Sequence, residues 1–179
     1  RYIGDWSSDV CSSDLRLIMG LDMYLSAQKH ISKIDWDKAE KTSIESAIRP
    51  EWQDVVDAAD LNSIAADDVQ GCAVKVLAAY WRKANQIHKW FVDNVQGGKD
   101  NCHTYHVSHD KLKRLLATVE VVLEEGNVSL LPPSEGFFFG GTEVDDHYWR
   151  QLERTKKELV RIIENPDFEN LQFDYQSSW

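Results

Sequence analysis

The sequence predicts an α+β fold, in which a small mixed or antiparallel sheet of about four strands has three main helices packed against it. Apolar and polar residues alternate over several short segments, as they do in strands with one buried face. In three longer segments, apolar residues recur every three or four positions, as they do in amphipathic helices. Seven Trp, six Tyr and six Phe in 179 residues favour a folded protein with a core over a disordered one.

The first half of the chain contains two predicted strands and one short helix. Apolar residues from Leu21 to Leu25 alternate with polar ones and predict a strand. Pro50 stands where a first helical turn tolerates it, and helical spacing follows it. For the second strand a helix is the alternative, because Ala78 and Ala79 favour helices. The predicted ranges are strand 20–28, helix 50–60 and strand 72–80, with residues 29–49 unassigned.

The second half contains the three main helices and two short strands. Gly97 ends the first helix, and Ser108 is a suitable N-cap for the second. Thr142 and Asp145 form a predicted capping box for the third, which Pro166 stops. The predicted ranges are helix 82–96, strand 103–107, helix 108–126, helix 143–164 and strand 171–175.

The first eighteen residues are expected to be foreign to the protein. Residues 3–15 resemble the translated read-through of a sequencing adaptor, and they show neither an amphipathic period nor a helix cap. Met19 then begins a sensible native start. We therefore expect residues 1–18 to be a non-native extension and residues 19–179 to be a single α+β domain, with residues 35–70 as an acidic insert.

The charge of the chain is negative and unevenly distributed. The net charge is −10, and residues 35–70 hold ten carboxylates against three basic side chains. A nucleic-acid-binding protein normally carries a basic excess, so we expect no direct contact with DNA or RNA. The acidic segment instead suits a basic partner protein, and a solvated face is the alternative. The sequence leaves the oligomeric state open, a homo-oligomer included.

Several signals of other protein classes are missing from the sequence. No apolar run approaches the roughly 20 residues of a membrane span, so we expect a cytoplasmic protein without membrane contact. Cys102, His103 and His106 suggest zinc, but only Cys102 and His106 would share a strand face, and we expect no metal. No serine-nucleophile, Cys–His or His-Glu-x-x-His motif is present, so we expect neither a catalytic residue nor a cofactor.

A dense block of aromatic, basic and polar residues lies between positions 80 and 91. On a helical wheel, Trp81, Asn85 and His88 fall together at one border of the apolar arc. An indole, an amide and an imidazole in one row can line a pocket, where the indole stacks on a flat ring that the other two hydrogen-bond. The alternative is that these groups border the core and bond to neighbouring backbone.

Further side chains extend this predicted site. Arg82 or Lys83 would meet a phosphate, and Phe138 would offer a second ring for stacking. Glycines at 136–141 precede a helix start, where free N–H groups can hold an anion. The acidic first turn that begins at Glu143 repels phosphate, so we do not expect a phosphate loop.

Three stretches of the sequence together resemble one family. They are Met-Gly-Leu-Asp-Met-Tyr-Leu at 19–25, Tyr-Trp-Arg-Lys-Ala-Asn-Gln-Ile-His-Lys-Trp-Phe at 80–91, and Gly-Phe-Phe-Phe-Gly at 136–140 with Tyr148. The chain resembles a family of small proteins encoded by bacteriophages and prophages. The resemblance implies no particular activity. It implies residence in the host cytoplasm and favours a role in counter-defence or host takeover.

We therefore expect a phage-encoded protein that binds a small nucleotide-like molecule without turnover and sequesters a nucleotide-derived signal of host defence. The first alternative is an acidic inhibitor of a host nucleic-acid-binding or defence protein. The second is a nucleotide hydrolase with His88 as general base. The expected ligand-binding residues are Trp81, Arg82, Lys83, Asn85, His88, Phe138 and Tyr148.

Overall fold

The computed structural model describes residues 20–63, 70–136 and 139–179. The strands in these residues are β1 (Asp22–Ser32), β2 (Gly71–Arg82), β3 (Tyr105–Val107) and β4 (Gln172–Ser178). The helices are α1 (Trp36–Ala39), α2 (Pro50–Ala58), α3 (Asn85–Asn94), α4 (His109–Glu125) and α5 (Asp146–Ile163). Short 3₁₀ turns lie at Glu45–Ala47, Val128–Leu130 and Phe168–Asn170. None of the helices described here has the length and apolar character needed to cross a bilayer.

The four strands form one antiparallel sheet in the order β2-β1-β4-β3. The register of β3 on β4 places Tyr105 opposite Tyr175 and Val107 opposite Phe173. In the described part of the chain, β2 and β3 are therefore the edges of the sheet. Together with the helices, this sheet confirms the predicted α+β fold.

The chain divides into two compact units. The larger unit contains the described residues up to Ala27 together with Leu77–Trp179, and the smaller unit contains Gln28–Val76. Helices α3, α4 and α5 belong to the larger unit, whereas α1 and α2 belong to the smaller one.

Alternating burial along the strands defines one inner face of the sheet in the larger unit. Met23 on β1 and Phe173 and Tyr175 on β4 are fully buried, whereas Tyr24 and Asp174 beside them are only partly buried. Adjacent strand residues point to opposite faces, which explains the alternation. The three helices of this unit contribute their apolar faces to the same core: Ile87 and Phe91 from α3, Leu112, Leu115, Val119 and Val122 from α4, and Leu152, Leu159 and Ile162 from α5.

The smaller unit has a small core of its own. Trp52 and Val56 are buried on one face of α2, which begins where the sequence predicts. The ammonium of Lys33 lies 5.0 Å from the centre of the Trp52 ring, in range of a cation–π contact. Ile34 and Ile48 form an isolated antiparallel bridge that closes the segment containing α1.

The boundary between β2 and α3 differs from the prediction. The strand expected at 72–80 is confirmed but continues to Arg82, so the helix expected from Arg82 begins at Asn85. The N–H of Lys83 donates to the carbonyl of Leu21 at 2.7 Å, which extends the pairing with the neighbouring strand. Lys83 itself has a φ of 57°, in the left-handed region, and this turns the chain out of the strand.

The start of α5 also differs from the prediction. The helix begins at Asp146 with Asp145 as N-cap, rather than at residue 143 with a Thr142 capping box. The Asp145 carboxylate accepts hydrogen bonds from the N–H groups of His147 and Tyr148, at 2.9 and 3.0 Å. A carboxylate at this position satisfies two of the free donors that every helix start exposes, which explains the shift.

Candidate functional site

The junction between β2 and α3 places neighbouring side chains in different surroundings. Trp81 is fully buried in the core, whereas Arg82 is half-exposed, because successive strand residues face opposite sides of a sheet. Asn85 is the first residue of α3 and His88 lies one turn further along it. The single helical row predicted for Trp81, Asn85 and His88 is therefore wrong, because Trp81 belongs to the strand.

The indole of Trp81 is part of the hydrophobic core. Its Nε1 donates to Oγ1 of Thr155 on α5 at 2.9 Å, and its ring lies 6.1 Å from that of Phe91. The indole N–H therefore has a protein acceptor, and the ring has no exposed surface for a ligand. Trp81 is therefore a core residue, as in the second of the two interpretations of the sequence, and does not line a ligand pocket.

The side chain of Asn85 joins the start of α3 to the loop that precedes α5. Its Nδ2 donates to the carbonyls of Phe139 and Gly141, at 3.2 and 2.9 Å. Its Oδ1 accepts from the N–H of Ser134 at 3.1 Å. One buried amide thus makes three hydrogen bonds to one loop. Two of the sequence blocks singled out above, residues 80–91 and 136–140, meet through this contact.

Tyr148 anchors the same loop from the other side. Its hydroxyl donates to the carbonyl of Leu131 at 2.9 Å. Burial raises the pKa of Tyr148 to about 12, so the phenol stays protonated as a donor over the physiological range. Tyr148 therefore holds the beginning of the loop at Leu131, and Asn85 holds it further along, at Ser134 and near Gly141.

A pocket lies between the start of α3, this loop and the first turn of α5. Seven of its lining residues carry polar side chains: Lys83, Asn85, Gln86, Glu143, Asp145, His147 and Tyr148. Three of the expected ligand-binding residues, Lys83, Asn85 and Tyr148, are among them. The volume that water can occupy is about 40 Å³, which is room for a few water molecules or for one edge of a larger molecule.

Gln86 is the polar residue at this pocket whose hydrogen bonding is incomplete. The side chain is only 3% exposed, and its Nε2 has no hydrogen-bond partner among the residues that the structure describes. Leaving a buried donor unpaired costs about 1–3 kcal/mol, so such groups are uncommon in folded proteins.

Charges of both signs line the pocket. Lys83 contributes an exposed ammonium, and Glu143 and Asp145 contribute carboxylates. Hydrogen bonds from the backbone N–H of Tyr148 and of His147 hold the pKa of Asp145 below its usual range. The pocket therefore offers an amide, a cation and ionised carboxylates to a ligand.

His88 lies in a different, enclosed network. The imidazole is 1% exposed, with Nδ1 2.7 Å from the hydroxyl of Tyr175 and Nε2 2.9 Å from Oδ2 of Asp100. A proton on Nε2 satisfies both contacts, because Nε2 then donates to the carboxylate and Nδ1 accepts from the phenol. The ring of Phe139 packs edge-on at 5.1 Å. With both nitrogens engaged by protein groups, His88 does not face the pocket and has no atom placed for general-base chemistry.

The electrostatics of this network follow from its burial. Burial raises the pKa of Asp100, but hydrogen bonds from His88 and Trp179 outweigh it, so the pKa lies below its usual range. The indole Nε1 of Trp179 donates to Oδ1 of Asp100 at 3.0 Å. Burial, with Asp100 nearby, raises the pKa of Tyr175 well above its usual value. The stable pair is an ionised carboxylate and a protonated phenol.

Replacing Asp100 with asparagine is expected to give a pH-dependent loss of stability. The lowered pKa means that the ionised carboxylate stabilises the fold above its ordinary pKa of 3.8, and that this contribution disappears as the pH falls through the lower folded value. Urea midpoints of both proteins between pH 7 and pH 2.5 test this, and the difference should shrink below pH 3.8. A gap that keeps its size at pH 2.5 contradicts the assignment. Asp93→Asn is the control, because Asp93 forms only an exposed pair with Lys89.

Arg82 lies outside the pocket, in a cluster with three other side chains. Its Nε is 4.0 Å from Oδ1 of Asp22, and the hydroxyl of Tyr80 donates to the same carboxylate. The rings of Tyr24 and Tyr80 lie 5.5 Å apart. The hydrogen bond to Asp22, together with burial, raises the pKa of Tyr80. Arg82 therefore faces a carboxylate of its own chain rather than the pocket.

The structure thus divides the expected ligand-binding residues among several places. Lys83, Asn85 and Tyr148 meet at the pocket, whereas Trp81, Arg82 and His88 each have other surroundings. Phe138 lies outside the described residues.

Gln86 also lines the pocket, although its position in the sequence does not predict this. On a helical wheel Gln86 lies on the side of α3 opposite the apolar Ala84, where solvent is expected. The loop fixed by Asn85 covers that side instead. Glu143, noted in the sequence only for its charge, lines the same pocket.

Comparison with known proteins adds no relative: no family model, curated protein or solved structure matches this chain. The resemblance to phage-encoded proteins therefore stays a prediction.

Proposed function

We propose that this protein binds a small nucleotide-like molecule in the pocket between α3 and α5 and holds it without turnover. The sequence resembles phage-encoded proteins, and in that setting the ligand is a nucleotide-derived signal of host defence, which the protein sequesters in the host cytoplasm. The observation that carries the proposal is the pocket at which Lys83, Asn85 and Tyr148, three of the expected ligand-binding residues, meet.

The arrangement around Gln86 supports binding at this place. Asn85 and Tyr148 hold the loop with hydrogen bonds, so the shape of the pocket is formed before a ligand binds. Preorganisation of this kind reduces the entropy lost on binding. Lys83 and Glu143 stand at the same pocket as exposed charges and are available to a ligand's polar periphery.

The volume of the pocket limits how the ligand sits. About 40 Å³ is far below the roughly 300 Å³ of sites that enclose a drug-sized molecule. Only one edge of a nucleotide fits within it, and the rest of the molecule lies over the surrounding surface. A partly enclosed ligand of this kind suits moderate affinity, in the micromolar range.

Replacing Gln86 with leucine is expected to weaken ligand binding by about tenfold or more. The leucine keeps most of the side-chain volume but supplies no hydrogen bond. Calorimetry with cyclic nucleotides and ADP-ribose derivatives measures the effect, and Gln172→Leu is the matched control, because Gln172 is an exposed glutamine on β4 that does not line the pocket. The absence of heat with every compound in the unaltered protein rules out the proposal.

The second candidate function is inhibition of a basic host protein, such as a nucleic-acid-binding or defence protein. Helix α2 forms as expected and buries Trp52 and Val56, while Glu51, Asp54 and Asp57 are exposed. The helix contains no basic residue. Hydrogen bonds from Asn62 and Gln53 lower the pKa of Asp57, which keeps this exposed carboxylate ionised.

Neutralising Asp54, Asp57 and Asp60 to asparagine is expected to abolish capture of a basic partner from a bacterial lysate, because the attraction between the two surfaces is electrostatic. The matched control neutralises Asp37, Glu40 and Glu45, three exposed carboxylates of the same unit. Both variants change the net charge equally. Capture that survives the first triple variant, or that both variants abolish alike, rejects a specific role for α2.

A further inference from the structure

Strand β2 has an uncovered outer edge along part of its length. It is an outer strand of the sheet, so one row of its backbone N–H and C=O groups has no neighbouring strand in the described part of the chain. Within the smaller unit, which contains residues 71–76 of this strand, residues 73–76 are all exposed. Val74 is 38% and Val76 is 56% exposed. An exposed apolar edge of this kind is a template for pairing with a strand of another molecule.

Other parts of the sheet edges carry features that prevent such pairing. Strand β3, at the opposite edge, has only three residues, and a short edge strand offers little to pair with. In the part of β2 that belongs to the larger unit, the side chain of Arg161 donates to the carbonyl of Ala78. The side chain of Gln151 donates to the carbonyl of Arg82. Among the described residues, the open edge of β2 is therefore the segment 71–76.

The charge of this open edge favours a second copy of the chain as the partner. The chain carries a net charge of −10, so two copies repel each other over most of their surfaces. The open edge contains no carboxylate, and Lys75 is its single charge, so the repulsion is weakest there. A basic protein is attracted instead to the carboxylates of α2, which lie outside the open edge.

We propose that the open edges of two copies pair as antiparallel strands about a two-fold axis, which makes the protein a dimer. Such pairing places β-branched side chains of one strand against apolar side chains of the other, which stabilises a sheet. It also covers both open edges at once, so assembly stops at two copies. The proposal is independent of the ligand-binding function and of its pocket.

The sequence of the open edge selects the register of the pair. A two-fold axis through Lys75 would place the two ammonium groups directly opposite each other, which is unfavourable. An axis through Val76 would pair Val74 with Ala78, whose carbonyl already accepts from Arg161. An axis through Val74 avoids both arrangements. It places Val76, the more exposed of the two valines, opposite Cys72 of the second copy.

Sedimentation equilibrium of the complete chain over a wide range of concentration tests the dimer. We expect a monomer–dimer equilibrium that strengthens as salt is added, because salt screens the repulsion between two copies of charge −10. Val74→Lys should weaken association at least about tenfold, because it places two ammonium groups opposite each other at the axis and removes an apolar contact from both copies. Val144→Lys is the matched control, since Val144 is a 43% exposed valine outside the strand.

A disulfide between the two copies tests the register and does not depend on the lysine variant. Val76→Cys should crosslink to Cys72 of the second copy on oxidation with copper phenanthroline, because Cα atoms of directly opposite strand residues lie within disulfide range. Cys72 is a free cysteine of the described chain. Adding Cys72→Ser to this variant should abolish the crosslink.

The contrary results are distinct from those expected. A chain that is monomeric at every concentration overturns the proposal, and so does a Val74→Lys variant that associates as the unaltered chain does. Association that salt weakens, or that grows beyond two copies, overturns closed pairing of two nearly neutral edges. A crosslink that survives Cys72→Ser overturns the pairing about Val74. None of these results changes the outcome of the ligand-binding experiments.

Discussion

Replacing Trp81 with alanine is expected to lower the free energy of unfolding by about 3–5 kcal/mol. The side chain is fully buried, so the change leaves a large cavity between β2 and the helices of its unit. It also removes the indole N–H that donates a hydrogen bond to Oγ1 of Thr155. Urea denaturation followed by circular dichroism measures the loss. Because the total free energy of unfolding of an ordinary domain is only about 5–15 kcal/mol, a loss of this size is a large part of it.

The effect at Trp81 also distinguishes a core residue from a ligand-stacking one. Trp36→Ala is the control, because Trp36 is 58% exposed and its loss should cost no more than about 0.5 kcal/mol. Should Trp81→Ala fold with nearly unchanged stability and lose only ligand binding, the sequence-based role in stacking would be restored and the structural assignment would be wrong.

Replacing His88 with alanine is expected to cost about 3–5 kcal/mol. The change deletes a buried ring and leaves two polar partners, the hydroxyl of Tyr175 and the carboxylate of Asp100, without their hydrogen bonds. Tyr175 is fully buried, so water does not replace the lost contact. Thermal and urea unfolding measure the loss.

Two further variants define the role of His88. His106→Ala should change stability little, because the His106 side chain is 65% exposed. Tyr175→Phe removes one hydrogen bond and keeps the ring, so it should cost about 1–2 kcal/mol. A His88→Ala protein of normal stability contradicts a structural role, and it would return the imidazole to consideration as a functional group.

The regular elements were predictable because their signals are local. Alternation around Met23, helical spacing around Leu115 and the cap at Ser108 each depend on a few neighbouring residues. The two shifted boundaries depended on distant partners instead. The carbonyl of Leu21 accepts from the N–H of Lys83, which holds the end of β2 on its neighbour as far as Arg82. The carboxylate of Asp145, rather than the Thr142 side chain, caps α5, and residue identity alone does not reveal which of the two does so.

The site was partly predictable for the same physical reason. Lys83, Asn85 and Tyr148 were predicted to bind a ligand, and the fold brings all three to one pocket. A helical wheel cannot show that Trp81 belongs to a strand, or that Asp100 and Tyr175 enclose His88. Gln86 acquires its surroundings from a loop about fifty residues away in sequence, which no local pattern encodes.

A titration followed by ¹⁵N-resolved NMR tests the central claim most directly, because it observes the side-chain amide of Gln86 itself. The Gln86→Leu spectrum identifies that resonance by its absence. We predict that a nucleotide that binds in calorimetry shifts the Gln86 amide signal in a saturable manner, with the same midpoint as the calorimetric binding curve. A Gln86 signal that stays in place while that nucleotide binds, or the absence of binding by every nucleotide tested, contradicts ligand recognition at this pocket.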